Sequence, residues 1–366
     1  MRCKRSIWGI LILTLLFVSG WTEGFSPVLR LKYARHFKVE YVDKGCKKVT
    51  DATGNQILLV SRGSKIPAGY HHITVIRTPV QKALFMSMTQ VCLLRPFHNS
   101  AIWASVAGVS SPLEEWYIPE IRKGLQNGSI QFVGDGYQPD YEKIQAIQPE
   151  VVFTFGGPNG QLNLMQKLSE LNIPYVVDNE YLEADPLGQM EWIKFIAAFY
   201  NQEEAAGQYF DQAESRIKET ARMVQGKRRP KIAWGMIYNG KVYVPAGNSY
   251  VAKMVALAGG DFIFKKITRS NSAMSIESFY ALSRNADILI NSAYSPTVPS
   301  VKVMLEEAPI LEDLKAVRRG QVWCLQPWYN QMLDQNDQIL LDLASIFHPE
   351  VIRNRSIENF LKVSLQ

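Results

Sequence analysis

The chain has 366 residues, 47% apolar and 20% charged, with 24 Gly and 18 Pro. That is room for two or three domains of about 150 residues each, and the apolar share excludes wholesale disorder. Three of the 40 basic and one of the 34 acidic residues fall in the first 24 positions, which leaves +4 of the net +6 for the rest. No Lys/Arg run interleaved with aromatics marks a nucleic-acid surface, and Lys227-Arg228-Arg229 reads as a solvated turn.

Arg2, Lys4 and Arg5 precede an apolar run over 7–18, too short to cross a hydrocarbon layer of about 30 Å. With the small residues Ser19 and Gly20 it has the parts of a secretory signal over 1–24, cut somewhere within 20–25. An uncleaved anchor is the competing reading. No Cys follows the run to accept a lipid, since Cys3 lies ahead of it. The expected location is periplasmic or extracytoplasmic. Cys46, Cys92 and Cys324 lack metal-ligand spacing and allow at most one disulfide; small buried hydrophobes are the simpler reading.

Residues 25–69 read as a β-hairpin extension, turning at 51–55. Strand and helix signals then alternate: a strand over 72–77, a helix over 79–88, a strand over 130–133 closed by Gly134-Asp135-Gly136, and a helix over 139–147. A continuous apolar strand follows at 151–155, then a helix over 161–171 and a strand over 174–177. Uninterrupted apolar strands between helices are what a parallel sheet covered on both faces requires. Residues 181–229 break this rhythm with helical patterns. The second, over 202–225, is about 24 residues or ~36 Å long, enough to cross a domain. A second α/β series follows: strands at 231–237, 287–291 and 320–325, helices at 250–257, 275–283, 301–307, 311–317 and 334–347, and a tail over 349–366.

Asp140-Tyr141-Glu142-Lys143-Ile144 leads through Pro149-Glu150 into Val151-Val152-Phe153. Ser275-Ile276-Glu277-Ser278-Phe279 leads through Asn285-Ala286-Asp287 into Ile288-Leu289-Ile290. Each is a helix start carrying a Glu, then a helix, then a buried strand, as an internal duplication would leave. Together with Asp185-Pro186-Leu187-Gly188, Tyr243-Val244-Pro245-Ala246-Gly247 and Leu257-Ala258-Gly259-Gly260, these segments make the chain resemble the periplasmic solute receptors of ABC importers for vitamin B12 and ferric siderophores. The resemblance covers about 70–348. Residues 25–69 have no counterpart in it, and 94–126 is longer and more aromatic than usual.

The resemblance implies two Rossmann-like α/β lobes, 70–180 and 230–348, joined by one long backbone helix within the linker 181–229. It implies a metal-chelate ligand in the cleft, with a ferric siderophore ahead of a corrinoid and a corrinoid ahead of haem, and no intrinsic cofactor or protein-bound metal. It implies a monomer that docks on a membrane permease dimer through one surface Glu per lobe, which motif match assigns to Glu142 and Glu277. On the residues alone, both are acids stabilising a helix dipole. Loops after strand C-termini should line the cleft. Tyr137, Phe155, Tyr238 and Trp328 beside strand ends, Trp116 in the aromatic insert, and Arg95 as partner of an anionic chelate are the candidate ligand-binding residues; Arg122 is a weaker one.

Two other classes compete. Metal chelatases share the fold and would act on a tetrapyrrole or metal. Against them, the five histidines do not cluster, His71 and His72 point to opposite faces of a strand, and no HExxH, GxSxG or Walker loop occurs. A surface adhesion module is the third possibility, if the N-terminal hairpin is a docking strand.

Overall fold

The computed structural model describes residues 28–157, 160–269, 272–294 and 300–364. The expected signal over 1–24 lies outside them. Among the described residues no helix is long and apolar enough to cross a membrane.

The N-terminal extension is larger than a hairpin. Strands β1 (Lys38–Asp43), β2 (Cys46–Thr50) and β3 (Gln56–Ser61) form an antiparallel meander, and β4 (Thr74–Thr78) adds parallel to β3. The run Ile57-Leu58-Leu59-Val60 explains why. Ile57 and Leu59 enter the main core, while Leu58 and Val60 pack with Cys46 into a small second core. A strand buried on both faces needs a neighbour at each edge. The segment over 72–77 is therefore not the first strand of the lobe. The sheet docks against the lobe at its β2–β3 turn. Asp51 accepts from Thr53 and Asn55 within the turn and from the Val177 amide at 3.0 Å across the interface.

The first lobe is a five-stranded parallel sheet. Its strands are β5 (Ala83–Phe85), β6 (Val106–Val109), β7 (Gln131–Phe132), β8 (Val151–Thr154) and β9 (Tyr175–Val177), in spatial order β7-β6-β5-β8-β9. Two expectations fail here. The helix over 79–88 is instead the central strand β5, followed by a short helix, Met88–Cys92, capped by Ser87. Strand β6 lies inside the aromatic insert, where its Gly108 masks the strand signal. A Cβ at Gly108 would lie 2.7 Å from the Leu84 side chain, so close strand packing requires the glycine.

The second lobe is built on β10 (Lys231–Tyr238). Beside it run β11 (Lys241–Val244), β12 (Asp261–Phe262), β13 (Ser272–Ser275), β14 (Ile288–Tyr294), β15 (Val322–Leu325) and β16 (Phe360–Lys362). Strands β12, β10, β14 and β15 are parallel; β11, β13 and β16 are antiparallel additions. The segment expected as a tail thus supplies an edge strand, anchored by Phe360 against Trp234 and Tyr329.

Between the lobes lie helices Pro186–Met190, Ile193–Tyr200 and the 21-residue Glu203–Met223, which is about 31 Å long. Every residue of Ile193–Tyr200 is buried. Its aromatics form a continuous ladder. Phe37 of the extension packs on Trp192 and Phe195, Phe195 on Phe199, Phe199 on Phe153 of β8, and Phe153 stacks on Phe85 of β5 at 4.7 Å. On the opposite side Glu203–Met223 lies along the closing helix Asn336–Phe347. Arg216 Nε reaches Asp337 Oδ2 at 2.6 Å, and the Tyr209 hydroxyl donates to the Asp334 carbonyl. One hydrophobic core runs through both lobes.

The segment before β1 is strapped to this block by one carboxylate. The amides of Lys32, Tyr33 and Ala34 all donate to Glu191 at 2.7–3.0 Å, and Lys194 Nζ joins at 2.7 Å. Glu191 is fully buried. Replacing Glu191 by Ala leaves three amides without an acceptor and the buried Lys194 ammonium without its counter-charge, with only the Arg30 carbonyl still accepting from it, and the expected loss is about 3–5 kcal/mol of folding stability. Asp211→Ala removes only an exposed partner of Lys32 and should cost under about 1 kcal/mol. Urea denaturation midpoints of the two variants check the contrast.

Candidate functional site

The carboxyl ends of all five strands of the first lobe converge on a cavity of about 570 Å³ between the lobes. Loops that follow β5 to β9 supply Met86 to Thr89, Ser110 and Ser111, Asp135 to Tyr137, Phe155, and Glu180 with Tyr181. The second lobe contributes Tyr250 from the start of helix Tyr250–Leu257, and Tyr329 with Asn330 from the loop after β15. Gln189 from the helical block and Asn336 from the start of the closing helix also line the cavity. This is the crevice at the carboxyl ends of the strands that open α/β sheets use for ligands.

Local chemistry fixes each wall. Asp135 Oδ1 accepts the amides of Tyr137 and Gln138, both at 2.7 Å, a side-chain turn that pushes Tyr137 outward to 72% exposure. Gln161 ties two loops together: it accepts from Thr154 Oγ1 at 2.6 Å and donates to the Gly136 carbonyl at 2.9 Å. A side chain on Gly136 would collide with that amide, 2.4 Å from its Nε2. The Phe155 ring meets Tyr181 edge-on, and the Tyr181 hydroxyl donates to the Gly156 carbonyl.

Glu180 is only 3% exposed and accepts from the Thr89 hydroxyl. Burial pushes its pKa up against the pull of that hydroxyl. Asp178 behind it is pushed well above the carboxylate range by burial and by the Glu180 charge. Tyr250 and Tyr329 are also raised by burial and share a hydroxyl contact.

Of the residues expected in the cleft, Tyr137 and Phe155 line the cavity; the other four do not. Trp116 is 1% exposed, and its indole donates to the Ser111 carbonyl, so it braces the loop after β6 from behind. Arg95 sits 3.7 Å from Asp334 and donates to the Gln331 carbonyl, tying the lobes together. Arg122 is spent on the carbonyls of Leu113 and Trp116. Tyr238 lies beside a hairpin tip. Asn239 and Gly240 both have positive φ, the geometry of a tight two-residue turn, so β10 runs straight into β11 instead of ending at the cleft. Trp328 packs edge-on against Tyr117, and its neighbour Tyr329 is the residue that faces the cavity.

Glu142 and Glu277 are exposed in the first turns of helices Tyr141–Ile147 and Ile276–Ser283, capped by Asp140 and Ser275. Sequence reasoning missed Thr89, Glu180, Tyr181, Tyr250 and Tyr329. Reading 83–85 as a strand would have directed attention to Thr89. The strand-end rule applied to β9 would have found Glu180. Cys46, Cys92 and Cys324 are buried and free. Among the described residues no three His, Cys, Asp or Glu side chains are grouped to hold a metal ion.

An open cleft between two doubly wound lobes on a shared helical block defines a ligand-binding protein. The family model described as periplasmic binding protein matches residues 103–328. Over 359 residues the chain is 33% identical to an uncharacterized lipoprotein of Methanocaldococcus jannaschii, covering 92% of this chain and 86% of that one. A second uncharacterized lipoprotein of that organism is 24% identical over 335 residues, with 88% and 83% covered. Among solved structures, a periplasmic heme-binding protein from Pseudomonas aeruginosa superposes with a TM-score of 0.62 at 16% identity, covering 78% of this chain and 99% of its own. A TroA-like periplasmic binding protein from Veillonella parvula gives 0.60 at 18%, covering 87% and 99%. A Helicobacter pylori protein solved as a nickel–histidine complex gives 0.61 at 17%, covering 84% and 89%. The chain belongs to the periplasmic binding protein family, whose members are substrate-binding proteins rather than enzymes. The chelatase reading therefore falls.

Asp334, just beyond the cavity wall, gives a pH signature. Burial raises its pKa from 3.8 to about 7, opposed by Arg95. Between those values the folded state binds a proton that the unfolded state does not, so stability falls as pH rises through about 7. Asp334→Asn removes this slope. Between about pH 5 and pH 8 the wild-type chain should lose more stability than the variant, by an amount on the order of a few kcal/mol. Denaturation midpoints at the two pH values measure it.

Proposed function

We propose that the protein is the extracytoplasmic receptor of an ABC importer, exported by the signal over 1–24, that carries a metal chelate in the cleft and works as a monomer. The observation that carries this reading is the cavity itself, with Tyr137, Phe155 and Tyr181 on one lobe and Tyr250 and Tyr329 on the other. Flat rings on facing walls suit a bulky chelate, and the Gly134-Asp135-Gly136 and Gly156-Gly157 turns let backbone approach it. A ferric siderophore stands first, then a corrinoid, then haem. The division of the chain is part of the same proposal: a first lobe within 70–180 whose sheet starts at β5, after the N-terminal sheet has taken β4, a linker over 181–229, and a second lobe over 230–348 to which β16 of the tail adds an edge strand.

Delivery rests on Glu142 and Glu277. Each is the second residue of a capped helix, one per lobe, and each is solvent-exposed. Two carboxylates held on rigid helix starts offer a two-point clamp to guanidinium groups of a permease dimer. The double variant Glu142→Arg with Glu277→Arg should keep its chelate affinity, measured by titration, and lose uptake in a transport assay with the cognate permease. Loss of affinity in that variant would show that the two carboxylates are not docking groups.

A further inference from the structure

The charges around the cavity narrow the ligand. Three charged side chains line it, Glu115, Asp135 and Glu180, and all are acidic. Among the described residues that line it there is no Lys, Arg or His. The undescribed segments beyond residue 28 are Pro158-Asn159, Ser270-Asn271, 295–299 and Leu365-Gln366, and none contains a basic residue. The two arginines nearest in sequence to the lining loops are already engaged: Arg95 with Asp334 and the Gln331 carbonyl, Arg122 with two backbone carbonyls. The rest of the wall is neutral hydroxyls and amides, such as Thr89, Gln189 and Asn336, and aromatic rings.

We infer that the cavity selects a metal chelate with no net negative charge, neutral or cationic, with a positively charged or hydrogen-bond-donating group directed at Glu180. This rests on the chelate reading above and adds to it the charge class of the ligand. An anionic chelate entering here would give up its hydration without meeting a cation, and would face three carboxylates and the negative faces of aromatic rings. A cationic or neutral one meets the opposite situation. Glu180 sits almost fully buried at the end of β9, where its attraction for a positive group is less screened than at the surface. The discrimination is local, because the chain as a whole carries +6 and its overall field does not repel anions.

The test is a fluorescence titration of the full chain with five probes. These are trianionic ferric tris-catecholate, haem with its two propionates, a neutral ferric trihydroxamate, the same chelate bearing a free ammonium, and cobalamin. At least one of the neutral or cationic probes should bind about tenfold or more tighter than the tris-catecholate and haem. Glu180→Gln, checked for an unchanged melting curve, should weaken any preference for the ammonium-bearing chelate over its neutral counterpart. Ser111→Arg, which places a cation in the cavity wall, should improve tris-catecholate binding and keeps the proposal testable should the Glu180 variant not fold. Tighter binding of tris-catecholate or haem than of every other probe overturns the charge assignment but leaves the chelate reading standing. A folded protein that binds none of the five overturns both.

Discussion

The structure depends on a buried block of helix that neither lobe can give up. Ile193–Tyr200 has no exposed residue, and its rings join the N-terminal sheet to the first lobe through one unbroken series of contacts from Phe37 to Phe85. Helix Glu203–Met223 carries that core across to the closing helix of the second lobe. Aromatic pairs of this kind contribute about 0.5–1.5 kcal/mol each beyond the area they bury. Rotating one lobe against the other would break the contacts that cross between them, Arg95 with Asp334 and the Gln331 carbonyl and the Gln331 side chain with the Tyr117 amide and the Glu115 carbonyl, and would strain the Arg216–Asp337 pair that holds the long helix to the closing helix. Such packing argues for a cleft whose walls are built by the fold itself and that closes little on a ligand.

Placement of the cleft follows from strand order. In the first lobe β5 sits at the centre, with the chain winding outward on either side, and every loop at the carboxyl edge opens into the same cavity. Helical residues Gln189 and Asn336 also line it. A ligand there touches both lobes and the block that joins them, so recognition and rigidity share residues. The side chains that face it offer hydrogen bonds, rings and negative charge, which suits capture and release better than bond chemistry.

Much of this was legible in the sequence because long elements announce themselves. The apolar run at Val151–Thr154, the Glu-bearing helix starts and the long amphipathic helix each gave the right element, and with them the two-lobed α/β fold. What stayed hidden was short or masked. Ala83–Phe85 is three residues long and sits between a proline and a helix, so its pattern merged with its neighbours. Val106–Val109 contains a glycine that only tertiary packing explains. At the cavity, the lining positions of Tyr137 and Phe155 were legible because each follows a recognisable strand. Tyr238 misled because Asn239-Gly240 continues its strand into a hairpin, and Trp328 was one residue from the ring that faces the cavity. Arg95 and Trp116 look like ligand-binding residue types, but both are consumed by bonds to backbone carbonyls.

A rigid, preformed cleft on a shared core is the claim from which the rest follows. Pulsed electron-spin distances between labels at Leu162→Cys in the first lobe and Val303→Cys in the second test it most directly. The native Cys46, Cys92 and Cys324 are buried and should not compete for label. The account predicts one narrow distance distribution that moves by no more than a few ångströms when a chelate binds. A broad or two-peaked distribution in the empty protein, or a large closure on loading, would contradict it.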